Sequence, residues 1–441
     1  MPAPDLILRR GTVVNHDGAG LADVAVTDGR ISAVGDLTGV DAGEVVDCFG
    51  LHLLPGVIDS QVHFREPGSE AKEDLETGSR AAALGGVTAV FEMPNTNPAT
   101  TTPEALEDKL ARARGRMHVD HAFWYGATPE NAETLAEAER LPGCAGIKMF
   151  VGSSTGSLLV SDSADVARVL AHGRRRVAVH SEEEPRLRER MGLRVQGDPA
   201  SHPVWRDETA ALMCTERLVR LTREARRPLH VLHISTAAEI PLLAANKDLV
   251  TAEATPHHLT FSADDYAAQG TYIQMNPPVR EARHREAIWA GLRAGVIDVL
   301  GSDHAPHERE AKEQVYPNTP SGMPGVQTLV PVMLDHVARG RMTLQRFVDL
   351  TSAGPQRLFG IAGKGRLAVG YDADLTVVDL SARRVIEAAW IASKCGWTPY
   401  AGREALGWPK GTFVRGRRVM WEDELLLDGA GAPVRFVDGD G

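Results

Sequence analysis

"GVIDSQVHFREPG", residues Gly56 to Gly68, begins as an apolar run and ends in residues that a buried strand does not tolerate. Alternate residues of a strand point to one face, so imidazoles at positions 61 and 63 could grip one divalent metal from the same side. Position 63 is histidine, but position 61 is glutamine. The stretch is therefore either no metal site at all or a metal site whose first ligand has been changed.

Working outward, the same texture recurs. After this run come "VTAVFEMPN", "VDHAFWYG", "GIKMFVG", "RVAVHSE", "LHVLHIS", "LVTAEATPHH" and "VIDVLGSDHAPH", each apolar and then polar, making eight between residues 56 and 306. Amphipathic stretches such as "PEALEDKLARARG" and "ETAALMCTERLVRLTREA" lie between them and read as helices from the 3.6-residue recurrence of Leu, Val and Ala. Strand then helix, eight times over, predicts an α/β fold of the (β/α)8 TIM-like barrel type, in which the C-terminal strand ends converge on one face. The flanks alternate β-branched residues with Asp-Gly and Gly-rich turns, which is hairpin chemistry. The expected plan is a small β-sandwich domain built from residues 1–54 and 365–441, with the barrel, 55–364, inserted between.

The chain has 43% hydrophobic and 24% charged residues and no apolar run near the roughly 18 residues that a membrane span needs. No secretory leader is legible at the N-terminus, so a soluble cytoplasmic protein with no membrane association is expected. Cys48, Cys144, Cys214 and Cys395 lie far apart and read as reduced, buried thiols. A net charge of −11 argues against a nucleic-acid partner, and "RRR" (174–176) and "REARR" (223–227) read as solvated helix ends. Any anionic ligand must be drawn by local positive charge.

Five of the eight strands end in potential ligands or their equivalents: His63 on the first, Lys148 on the fourth, His180 on the fifth, His233 on the sixth and Asp303 on the eighth. His180 and His233 can hold one metal, and His63 with Asp303 a second nearby. Lys148 is the odd member, since an amine of pKa roughly 10.4 is cationic and repelled by metals. Two readings of it stand: carboxylation by carbon dioxide to an anionic carbamate, or a salt bridge to a strand-end acid.

In order and spacing, "DSQVHFREPG", "EMPNTNP", "GIKMF", "VAVHSE", "HVLHIST", "TPHH", "GSDHAPH", "SGMPGVQTL" and "GRLAVGYDADLTVVDL" resemble the cyclic amidohydrolases of the amidohydrolase superfamily, and within them the dihydroorotases. The resemblance implies that Lys148 is carboxylated and bridges two zinc ions, with His180 and His233 on the β metal and His63 and Asp303 on the α metal. Gln61 departs from the pattern, because an amide oxygen binds zinc more weakly than imidazole, and the α site is expected to be the weaker. Arg65, Asn95 and His307 match positions that hold a substrate carboxylate, while Asn276 and "SGMPG" would line the ring. Each has a plainer alternative: Arg65 paired with Glu66 or Glu92, Asn95 capping a turn before Pro98, His307 on the surface.

The implied activity is reversible hydrolysis of dihydroorotate to N-carbamoyl-L-aspartate in pyrimidine biosynthesis, by a metal-activated water, with Asp303 carrying its proton to the leaving nitrogen. The alternatives are another cyclic amidohydrolase (hydantoinase, allantoinase or cyclic imidase-like) and a non-catalytic paralogue that partners a transcarbamoylase. A homo-oligomer, dimer or tetramer, is expected.

Overall fold

The computed structural model describes residues 3–153 and 158–437. Positions 1, 2 and 438–441, at the outer edges of the expected terminal domain, lie outside the described residues. All eight runs form strands: β1 (Val57–Val62), β2 (Val87–Glu92), β3 (Asp120–Gly126), β4 (Cys144–Phe150), β5 (Val177–His180), β6 (Leu229–Val231), β7 (Val250–Ala254) and β8 (Val299–Leu300). They pair in parallel and in chain order within one sheet. Their residues are buried on both faces, which is why each reads as an apolar run without alternation.

β8 is short because the chain turns polar after Leu300, so the barrel closes by other means. His63 N–H donates to His304 O at 2.7 Å, Val62 bridges His304, and Ser302 N–H donates to the Asp59 carboxylate at 2.9 Å. The helices outside are begun by side-chain caps. Asp74 accepts from Thr77 N at the start of Leu75–Leu84, and Asp207 from Ala210 N at the start of Glu208–Ala225. The second helix buries Ala211, Cys214, Leu218 and Leu221 on one face, the periodicity expected of it.

Both chain ends join one nine-stranded sheet. Leu6–Asn15, Gly18–Thr27, Arg30–Gly35, Glu44–Asp47 and His52–Pro55 come from the N-terminal side. Leu375–Val385, Glu404–Val414, Arg417–Trp421 and Glu424–Leu425 come from the C-terminal side. The halves meet where His52–Pro55 pairs antiparallel with residues 375–378. Leu8, Val24, Val26, Leu53, Leu375, Val377 and Phe413 share a core of mixed origin. Lys364 ties this sheet to the barrel, its Nζ lying 2.6 Å from Asp120 at the start of β3 and 2.5 Å from Asp374.

Two expectations change. The C-terminal part of the chain does not belong wholly to the sheet. Trp397 Nε1 donates to His307 O at 2.8 Å, and Tyr400 OH meets His257 Nδ1 at 2.9 Å. Val434 is buried, and Phe436 half-buried, against Ile58, Phe91 and Trp124 of the barrel strands, which removes apolar surface from water. The arginine runs are not simply solvated helix ends either. Arg176 donates to the carbonyls of Leu229 and Leu249 where β6 and β7 begin, and Arg227 is buried against Glu139 at 2.5 Å. The four cysteines are free and buried. Among the described residues no helix is long and apolar enough to cross a membrane.

Candidate active site

β5 ends at His180, whose Nε2 lies 2.9 Å from Glu182 Oε2. Burial pushes the Glu182 carboxyl up, but Arg206, donating at 3.1 Å, and His180 outweigh it and hold the group well below the usual carboxylate range. An ionised carboxylate only accepts, so His180 Nε2 carries the proton and Nδ1 presents its lone pair. That Nδ1 is 3.1 Å from His233 Nε2, while His233 Nδ1 is buried with no partner among the described residues. Two nitrogens bound to one tetrahedral zinc stand about 3.3 Å apart, so the pair fits a shared metal.

His63 and Asp303 make a second pair. His63 Nε2 lies 3.2 Å from Asp303 Oδ1, and Asn95 Oδ1 lies 2.9 Å from His63 Nδ1. With Nδ1–H given to Asn95, Nε2 turns its lone pair toward an anion, an arrangement suited to a cation between them. Burial pushes the Asp303 carboxyl up, but the contact with His63 and the nearness of His233 bring it down to about 2. Gln61 Nε2 donates to Asp303 Oδ1 at 3.0 Å, and Gln61 Oε1 is left buried without a partner among the described residues. Position 61 therefore offers this pair an N–H and not an oxygen.

Lys148, on β4, is 1% exposed and lines the same pocket. Its Nζ stands 4.5 Å from the centre of the Phe150 ring, and it makes no ion pair among the described residues, so the salt-bridge reading is not realised. Burial lowers its amine to about 7. Among the described residues no three His, Cys, Asp or Glu side chains converge as a ligand set. Each pair supplies two ligands, and Lys148 is the remaining pocket side chain that carboxylation would make a ligand. His233 (φ 37°), Asp303 (φ 49°) and Arg65 (φ 65°) all hold left-handed backbone, a strain that accumulates where side chains must be aimed.

The other wall is cationic. Arg65 is 4% exposed, and its Nε and Nη2 both donate to Pro306 O at 3.3 Å, with His307 Nε2 at 3.4 Å from Nη2. Burial lowers the guanidinium to about 10, which leaves it charged at neutral pH. Neither expected acid pairs with it, since Glu66 is taken by Arg116 at 2.7 Å and Glu92 by Lys109. His307 is buried, not on the surface, and its Nε2 lies 3.0 Å from Ser321 O. Asn276, Ser321 and Gly322 complete the pocket. Asn276 Oδ1 accepts from His202 Nε2 at 2.9 Å. Asn95, expected at the substrate carboxylate, places its Oδ1 against His63 Nδ1.

The family model described as the amidohydrolase family matches residues 52–419. The chain belongs to the amidohydrolase family. It is 38% identical to a dihydroorotase of Halobacterium salinarum, over 94% of this chain and 96% of the relative. It is 36% identical to an allantoinase of Rubrobacter xylanophilus, over 99% and 98%. Among solved structures, the L-hydantoinase (dihydropyrimidinase) from Arthrobacter aurescens superposes with a TM-score of 0.93 at 30% identity, covering 98% of this chain and 99% of that one. This amidohydrolase is thus a hydrolase of a generally metal-dependent family.

Sequence reasoning brought His63, Lys148, His180, His233, Asp303, Arg65, Asn276 and His307 to one pocket or its wall, where the structure also places them. It missed Glu182, which sets the tautomer of His180. The signal was present in "VAVHSE", an acid two residues after a strand-end histidine, but an acid at the start of the next helix looks the same.

Proposed function

We propose that this amidohydrolase is a zinc-dependent dihydroorotase that interconverts dihydroorotate and N-carbamoyl-L-aspartate. The observation that carries the reading is Arg65, a buried guanidinium on the pocket wall with no carboxylate partner among the described residues. A planar fork of N–H donors is suited to a carboxylate, and dihydroorotate carries one beside its scissile ring amide. The relatives named dihydroorotase point the same way. Allantoin and hydantoin are neutral rings and would give Arg65 no counter-charge.

Lys148 is proposed to be carboxylated. Its buried amine, lowered to about 7, has a substantial neutral fraction that can attack carbon dioxide, forming an N–C bond and releasing a proton to give the carbamate anion. That anion, with His180 and His233 on one side and His63 and Asp303 on the other, would hold the zinc. When bound, zinc lowers the pKa of a water and polarises a carbonyl oxygen.

The chain's own residues supply the rest. Arg65, with His307 beside it, holds the ring carboxylate and fixes which carbonyl faces Asp303. Asn95 keeps His63 in its ring orientation. Asp303 is ionised and accepts the proton of the attacking water, then returns it to the ring nitrogen as the C–N bond breaks. In reverse, Asp303 takes the proton of the carbamoyl nitrogen as the ring closes.

The test is a panel of purified, metal-analysed protein with dihydroorotate, allantoin, hydantoin and dihydrouracil. The reading expects dihydroorotate to be turned over with the highest kcat/KM. A higher value for allantoin or hydantoin would replace the substrate and keep the chemistry.

A further inference from the structure

Lys312 ends the short helix Arg309–Lys312 and is completely buried, yet it makes no ion pair among the described residues. Its Nζ instead donates to three backbone carbonyls: Gln274 O at 3.1 Å, Pro320 O at 3.0 Å and Gly322 O at 2.9 Å. Burial lowers this amine to about 7, and the three oxygens, which match the three N–H donors of an ammonium, favour its charged form. Those oxygens belong to two separate segments, and each segment goes on to line the substrate pocket, the first through Asn276 and the second through Ser321 and Gly322.

The same two segments are cross-tied around the lysine. Gly322 N donates to Gln274 O at 2.9 Å, and Gln274 Nε2 donates to Thr319 O and Ser321 Oγ, both at 3.1 Å. Ser321 O in turn meets His307 Nε2 at 3.0 Å, beside Arg65. The fit has no slack: a Cβ on Gly322 would lie 2.5 Å from Ala305 O and 3.1 Å from His307 Nε2, and the φ of +135° is one that only glycine holds easily.

We propose that Lys312 is the positioning residue of the pocket's outer wall: its ammonium gathers the 274–276 and 320–322 segments so that Asn276 and Ser321 are held at the substrate's distance. Without it, Pro320 O and Gly322 O lose this donor and Gln274 O keeps only Gly322 N, so the two segments are held together by the direct bonds through Gln274 alone and can shift, while the candidate metal-binding side chains at the strand ends stay where they are. The inference rests on the proposed function only for the location of the substrate, not for its identity.

The experiment compares wild type with Lys312→Met, which keeps the length of the side chain and removes its donors. For whichever panel substrate is turned over, KM should rise about ten-fold or more while kcat changes little. Metal content should be unchanged. Backbone amide exchange, which needs no substrate and therefore stands whether or not dihydroorotate is the substrate, should accelerate at residues 274–276 and 319–323 and not in the barrel strands. Lys312→Gln keeps part of the donor set; it should show the same split to a smaller degree, and it is the readable variant if the methionine does not fold. Unchanged KM in either variant, a fall in kcat with KM constant, or exchange that rises evenly over the barrel would overturn the proposal.

Discussion

Gln61 and Asp303 share a single hydrogen bond, 3.0 Å from Nε2 to Oδ1, and its direction decides what position 61 can do. The carboxylate accepts, so the amide must turn its N–H side toward it and its oxygen away. Glutamine thereby orients Asp303 without adding a lone pair to the His63 and Asp303 pair. Imidazole at the same position would add one. In the zinc-loaded protein the metal on that pair should be lost to a graded chelator before the one on His180 and His233. Gln61→His should raise the chelator concentration needed to remove it by about 10- to 100-fold. Zinc stoichiometry during dialysis reads this directly. Simultaneous loss of both metals from the wild type would contradict the weaker second site.

At the scale of the element, the candidate ligands His63, His180, His233 and Asp303 each sit at or within three residues of the C-terminal end of a parallel strand, and a neighbouring side chain can set their chemistry. β5 is the clearest case. Glu182 holds the proton on His180 Nε2 and is itself held ionised by Arg206. Glu182→Gln can offer an N–H to the imidazole and so move the proton to Nδ1, the atom that faces His233. Metal affinity measured by competition should fall about 10- to 100-fold, and an unchanged affinity would release Glu182 from that role. The strands were legible in the sequence because a strand buried on both faces is a plain apolar run, and His63, His180, His233 and Asp303 were legible because their side-chain types conflict with such runs. What was not legible depends on contacts far apart in the chain. Nothing local in "FREPG" says that Glu66 belongs to Arg116 and leaves Arg65 without an acid. The left-handed backbone at His233 and Asp303 has no sequence signature, and the packing of Val434 and Phe436 against barrel residues far back in the chain has none either.

Over the whole molecule, burial leaves many histidines neutral besides those of the two candidate ligand pairs. It lowers His121 and His258 to about 4, and His202, His230 and His257 to about 3. In the unfolded chain each would titrate near 6.5, so below that pH the unfolded state binds more protons and stability falls as pH drops toward the folded values. Each such group removes about 1.4 kcal/mol per pH unit inside its window. The urea midpoint should therefore fall steeply from pH 6 to pH 4, and a flat profile would contradict the neutral, buried state of these side chains. The barrel, the two ligand pairs, Lys148 and the cationic wall meet in one claim, that the pocket holds a ring amide by a carboxylate clamped on Arg65. The most direct test is kcat/KM for dihydroorotate and for dihydrouracil, which lacks the carboxylate, in wild type and Arg65→Ala. The account predicts a loss of about 10²- to 10⁴-fold on dihydroorotate with little change on dihydrouracil; an equal loss on both substrates would contradict it.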